Sequence, residues 1–385
     1  MQPIYLDFSA TAPLLPPVFE AMLPYFTDQF ANPSSSHRPG RLAHKALEDA
    51  REAIAGLLDA HADEVIFTSG ATEANNLAVS GQTAGHCFTS LIEHPCVTEP
   101  VQRLADRGWE ISYLPVDPTG IVRWEGASDV FRAAEVPTSL VSVMLVNHET
   151  GAIQPVEAIA SSLQGRAFFH SDAAAAVGKI PVSFHRLGVD ALSVSPHKFH
   201  GPKGIGALLL RREVKLRPLL VGGHQEQGRR PGTEPVPLIV GFAKALEIAV
   251  HFLERNYTRV LQLRQLLLAQ LHAGAEPIVV NSPAAEEWQK SKCIPHIVNV
   301  SFPGCRADTL LIALDLAGVA CSTGSACSSG SLLPSPVLQA MGLEQRLLTS
   351  AMRFSLSPQL NEVDMIEAAR RICQTVMRLR QGAAD

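Results

Sequence analysis

Closely spaced cysteine pairs are missing from this chain. Its seven cysteines (Cys87, Cys96, Cys293, Cys305, Cys321, Cys327 and Cys373) are odd in number, widely scattered and form no C-x2-C. That argues against a disulfide-stapled scaffold and a zinc knuckle, so no metal is expected and a reducing, cytoplasmic setting fits. Also missing is any apolar run near the ~20 residues of a membrane span. Met1 to Asp7 show no basic segment leading into an apolar core, so neither a signal peptide nor a membrane partner is expected. Positive charge is not in excess either. A formal net charge of −5 speaks against a nucleic-acid surface and leaves small molecules or other proteins as partners.

What is present is globular: 46% hydrophobic and 18% charged over 385 residues, enough for two or three domains at ~150 residues each. From about Glu64 to Leu210, short β-rich runs alternate with helix-like segments. Val65 to Phe67, Ile111 to Leu114, Leu140 to Val146, Ala167 to Phe169, Ala191 to Val194 and Ala207 to Leu210 are such runs. Runs apolar on both faces, with room for crossovers between them, predict a mostly parallel sheet covered by helices, an α/β fold. Leu238 to Arg255 reads as one long helix. Beyond it lie strands at Ile297 to Phe302 and Met352 to Ser355 and a last helix from Asn361. This part is expected to be smaller and α+β, with the N-terminal run returning to pack on it. The expected division is 16–254 for the large unit, with 1–15 and 255–385 forming the small one.

Parallel sheets bind ligands at the carboxyl ends of their strands, and the informative motifs follow strands. Thr68-Ser69-Gly70-Ala71-Thr72-Glu73 leaves one strand and opens a helix. That is a way to hold a phosphate, although simple N-capping by Ser69 or Thr72 explains it alone. Asp172 ends another strand. Ser195-Pro196-His197-Lys198 follows a third, before Gly201-Pro202-Lys203-Gly204. Each charge singly reads as an ordinary surface pair. Together they supply an anion cradle, a carboxylate and a Schiff-base amine, the equipment for pyridoxal 5'-phosphate. Finally, Ser322-Thr323-Gly324-Ser325-Ala326-Cys327-Ser328 sets a cysteine among helix-averse residues, which predicts a thiol presented on a loop, about 321–336, rather than packed in a core.

These pieces, with Asn32-Pro33-Ser34, Glu93-His94, Gly232-Thr233 and Arg353-Phe354-Ser355, resemble the cysteine desulfurases of the NifS/IscS-like group. That group lies within the class-V aminotransferase family of fold-type-I pyridoxal-phosphate enzymes. The resemblance covers nearly the whole chain. It implies that Lys198 holds the cofactor and moves the Cα proton, that Asp172 pairs with the pyridine nitrogen, and that His94 stacks on the ring and transfers protons. Ala71, Thr72, Ser195 and His197 would cradle the phosphate, with Thr233 coming from the neighbouring subunit of a homodimer. Arg353 would take the substrate carboxylate, with Asn32 nearby, and Cys327 would remove sulfur from L-cysteine. The products would be L-alanine and a persulfide bound for an acceptor protein, in iron–sulfur assembly or other sulfur traffic. Several relatives carry a longer tail that docks such a scaffold, and this chain ends at Asp385.

Two positions depart from that pattern. His148 stands where the family has Asn, and Ala175 where it has Gln. Alanine cannot donate to the cofactor's phenolic oxygen, so His148 is expected to take over one bond and water to fill the space beside Ala175. Cys321 reads as a packed residue and His200 as structural. The alternative readings are a selenocysteine lyase or another class-V enzyme, with less need of Cys327, and a non-catalytic assembly partner.

Overall fold

The structure, a computed structural model, describes residues 3–83, 85–125, 138–324 and 334–382. Cys327, and with it most of the serine- and glycine-rich loop, lies outside the described residues. In chain order the strands are β1 (Ile4–Tyr5), β2 (Val65–Thr68), β3 (His86–Ser90), β4 (Glu110–Leu114), β5 (Thr138–Ser142), β6 (Phe168–Asp172), β7 (Ala191–Val194), β8 (Gly206–Leu210), β9 (Val279–Val280), β10 (Ile297–Ser301), β11 (Val319–Ala320) and β12 (Ala351–Ser355).

Seven of them form one sheet in the order β2-β8-β7-β6-β5-β3-β4. The pairings β4–β3, β3–β5, β5–β6 and β6–β7 are parallel, and only β8 runs against its neighbours. The expected mostly parallel α/β sheet is therefore present. Because β8 alone is reversed, the carboxyl ends of the other six strands and the amino end of β8 share one edge. β2, β3, β7 and β8 are buried along their whole length, as helices on both faces of a parallel sheet require.

A second apolar core gathers around β10, which pairs antiparallel with β12 and β9. Helices Leu253–Gly274, Ala307–Leu316 and Glu362–Gly382 contribute to it through residues such as Leu263, Leu310 and Ile372. The N-terminal strand β1 pairs in parallel with β11, so the beginning of the chain does return to this later part.

Two expectations are corrected. The helix expected over Leu238 to Arg255 is two helices, Val236–His251 and Leu253–Gly274, bent by 70° at Phe252. The first buries Ile239, Phe242 and Leu246 in the large core, and the second buries Val260, Leu263 and Leu267 in the other. One straight rod cannot face both. The strand expected to run to Val146 ends at Ser142, because the Met144 N–H turns to the Glu93 carboxylate, 3.0 Å from each oxygen. Among the described residues no single helix is long and apolar enough to cross a membrane.

Candidate active site

The shared edge of the sheet opens into a cavity of about 520 Å³. Short connections leave the strands there and carry the chemistry. β2 runs through Ser69-Gly70 into helix Ala71–Ser80, whose first-turn N–H groups have no partner within the helix. Ala71, Thr72, Ser195 and His197 all line the cavity on this side. The approach is close: a Cβ on Gly206 at the start of β8 would meet the Gly70 Cα at 2.6 Å. Burial, then the neighbouring Lys198, pulls the His197 ring down to about 4, and its Nδ1 lies 3.2 Å from Thr11 Oγ1.

Asp172 closes β6 and is buried. Its Oδ2 accepts from Asn75 Nδ2 at 2.7 Å and its Oδ1 from the Ala174 N–H at 2.8 Å. Lys198 sits in a short 3-10 turn after β7. Its Nζ donates to the carbonyl oxygens of Ser9 and, at 3.1 Å, Ala10, so the N-terminal segment orients the amine. His94 caps helix Pro95–Ala105, and its ring meets that of His148 edge-on at 5.1 Å. Burial lowers the pKa of both rings; for His94 the Asp172 charge opposes this, while Lys198 and Arg353 add to it. His148 lines the cavity with a buried Nδ1 that has no hydrogen-bond partner, and Ala175 faces the same space.

Arg353, on β12, is buried beneath this group. Its Nη2 pairs with Asp7 Oδ1 at 2.9 Å, its Nη1 donates to the His148 carbonyl at 3.1 Å, and its Nε has no partner. Its guanidinium is thus already tied to two other segments. Neither Arg353, Asn32 nor Thr233 is among the residues that line the cavity. Asn32 caps its own turn through the Ser34 N–H at 2.8 Å, and Thr233 is exposed. His200 bridges the Pro13 carbonyl and Ser357 Oγ. Cys321 packs against the second core, and burial pushes its thiol up to about 12.

Glu149 stands by two described residues, Gly324 and Ser335, that flank positions 325–333, which lie outside the described residues. It accepts from Ser335 Oγ at 2.6 Å, and its Oε2 lies where a Cβ on Gly324 would fall, at 2.6 Å. Gly324 has a φ of +85°, a conformation natural to glycine.

Sequence reasoning missed three lining or supporting residues. Asn75 holds Asp172, Cys96 lies beside His94, and Lys179 is buried against the cavity. Burial, with Lys198 and Arg353 adding to it, pulls Lys179 down to about 7. Its one signal in the sequence is its setting: a lysine between the apolar run Ala173 to Val177 and Ile180.

The donor set fits pyridoxal phosphate. There are first-turn N–H groups and hydroxyls for a phosphate, a buried carboxylate for a pyridinium, a lysine amine in the cavity lining, and an orphaned imidazole nitrogen in the same lining.

Comparison with known proteins agrees. The model of the family described as aminotransferase class-V matches residues 4–366. The protein named cysteine desulfurase IscS from Dictyoglomus turgidum is 42% identical over 369 residues, 94% of this chain and 91% of that one. Its namesake from Rickettsia massiliae is 41% identical over 389 residues, covering 98% and 92%. Among solved structures, a NifS-like protein superposes with a TM-score of 0.89 at 34% identity, covering 98% of this chain and 100% of that one. SspA in complex with cysteine gives 0.79 at 35% identity, covering 92% and 99%. With sequence motifs, strand-end geometry and relatives in agreement, the chain belongs to the class-V aminotransferase family of pyridoxal-phosphate-dependent enzymes.

Proposed function

We propose that the protein is a cysteine desulfurase that converts L-cysteine to L-alanine and leaves the sulfur on Cys327 for an acceptor protein. The observation that carries the reading is the convergence of Lys198, Asp172 and His94 on one cavity at the carboxyl ends of β7, β6 and β3. Bound there, pyridoxal phosphate serves as an electron sink for the substrate's Cα. In this reading Lys198 attaches it and moves the Cα proton. Asp172, steadied by Asn75, faces the pyridine nitrogen. Ala71, Thr72, Ser195 and His197 hold the phosphate, with Thr233 of a second copy. The orphaned His148 Nδ1 serves the phenolic oxygen in place of the amide that Ala175 lacks.

Sulfur moves by displacement. The Cys327 thiolate attacks the substrate Sγ and the Cβ–Sγ bond breaks. Its electron pair stays with the carbon skeleton, which takes up a proton to become alanine. Arg353, freed from Asp7, offers the planar fork that a substrate carboxylate needs, with Asn32 nearby. We take residues 16–254 as the cofactor-binding unit and 1–15 with 255–385 as the unit that carries the reactive loop. The working form is read as a cytoplasmic homodimer serving iron–sulfur assembly or related sulfur traffic, without nucleic acid or membrane.

Mass spectrometry after exposure to L-cysteine tests the reading. One added sulfur is expected on the Cys327 peptide and none in Cys327→Ser, which should also lose alanine release. Full alanine release by C327S would refute it.

A further inference from the structure

His94 is held at one ring nitrogen by a single residue. Its Nδ1 accepts the backbone N–H of Cys96 at 3.1 Å, and the Cys96 Sγ lies 2.9 Å from the same nitrogen. A backbone N–H can only donate, so Nδ1 must present its lone pair, and the proton of the neutral ring sits on Nε2. The thiol is then the donor in the contact between Sγ and Nδ1. It keeps its proton, because burial and then the Asp172 charge push it up to about 12. On its other side Sγ accepts from Asn75 Nδ2 at 3.0 Å, and the same amide nitrogen donates to Asp172 Oδ2 at 2.7 Å. An amide NH2 carries two protons, enough for both. The bonds run without a break from Asp172 through Asn75 and Cys96 to His94.

We propose that Cys96 is a positioning residue whose backbone N–H and thiol hold His94 as the neutral Nε2–H tautomer and, through Asn75, tie its ring to Asp172. The inference deepens the reading of this cavity as the cofactor site and rests on it. Three consequences follow from the geometry. His94 reaches the cavity with a donor rather than a lone pair. Protonating Nδ1 would break the bond from the Cys96 N–H and turn the thiol from donor to weak acceptor, which favours the neutral ring. The charged and titratable groups around it act in the same frame: Asp172 from β6 favours the cation, while Lys198 after β7 and Arg353 from β12 oppose it, and His148 packs edge-on. Cys96 itself is no sulfur carrier, since only a thiolate attacks sulfur.

The test is 15N NMR of the histidine rings in the holoenzyme without substrate, with His94 assigned by the loss of its signals in His94→Gln. The expected spectrum shows a pyridine-like Nδ1 and a pyrrole-like Nε2. Cys96→Ala keeps the backbone donor and hence the tautomer. It loses the thiol bond that favours the neutral ring, so the His94 pKa should rise by about half to one pH unit, and Cys96→Ser should restore it. An Nδ1–H tautomer in the wild type, a C96A titration that overlays the wild type, or no recovery in C96S would each overturn the proposal. No sulfur release is measured, so these outcomes are independent of whether the enzyme proves to be a desulfurase.

Discussion

Glu93 sets up the sharpest test of the site's electrostatics. It lies next to His94, is 4% exposed, and is held by Ser90 Oγ at 2.6 Å and by the Met144 N–H. Burial, with the Asp172 charge adding to it, pushes its carboxyl up to about 8. An unfolded Glu titrates near ~4.3, so ionising this one in the fold costs about 5 kcal/mol. The sign follows from proton counting. Between about pH 4 and 8 the native state binds the proton and the unfolded state releases it, so stability falls as pH rises. Glu93→Gln is isosteric with the neutral acid and removes this linkage, while Glu149, pushed up to about 7 by burial, titrates alike in both proteins. Measured by urea unfolding, E93Q should gain on the wild type by about 2 kcal/mol between pH 5.5 and pH 7. A gap that does not change with pH, or that moves the other way, would mean that Glu93 is ionised in the fold and would refute the reasoning.

Other expectations are simpler. Glu226 accepts from Arg51 Nη1 and Nη2 at 2.8 Å on separate oxygens. Glu226→Gln breaks that bidentate pair, since its one oxygen can still accept from Arg51 Nη1 and the Phe67 N–H while its NH2 faces Nη2. It should cost about 1–3 kcal/mol by chemical denaturation, because the buried Arg51 loses its buried counter-charge and keeps only part-exposed Glu48, 3.2 Å from its Nε, and the Val65 carbonyl. No measurable loss would contradict that. His148→Ala should shift the pH titration of the bound cofactor's visible absorption, and an unchanged curve would remove His148 from the cofactor's hydrogen bonds. Lys179→Met should stabilise the fold increasingly as pH falls from about 10 to 7, since the buried lysine must stay neutral while the unfolded one is charged. A pH-independent thermal shift would show that Lys179 keeps its charge.

Much of the site was legible because its residues directly follow strands. Asp172, Ser195 and Lys198 are placed by the rule that parallel sheets gather ligand groups at carboxyl ends, and the apolar runs announced the strands. Cys96, Asn75 and Lys179 were not legible. Cys96 and Asn75 lie on different helices, and no local pattern reveals that an amide on one will touch both a thiol on the other and a carboxylate on β6. The break at Phe252 escaped for a similar reason: the residues on either side are good helix formers, and only the presence of two cores turns the chain.

The sequence by itself determined the class of fold, the family and the chemical types at the strand ends, because alternation of apolar runs and the order of motifs are local and survive without coordinates. Tertiary structure alone decided which of those types are spoken for. Arg353 is engaged by Asp7 across 346 residues, Lys198 is gripped by the N-terminal carbonyls, and His148 is left with a bare nitrogen. Protonation and partnership depend on burial and distance, and those exist only once remote segments of the chain have been packed together.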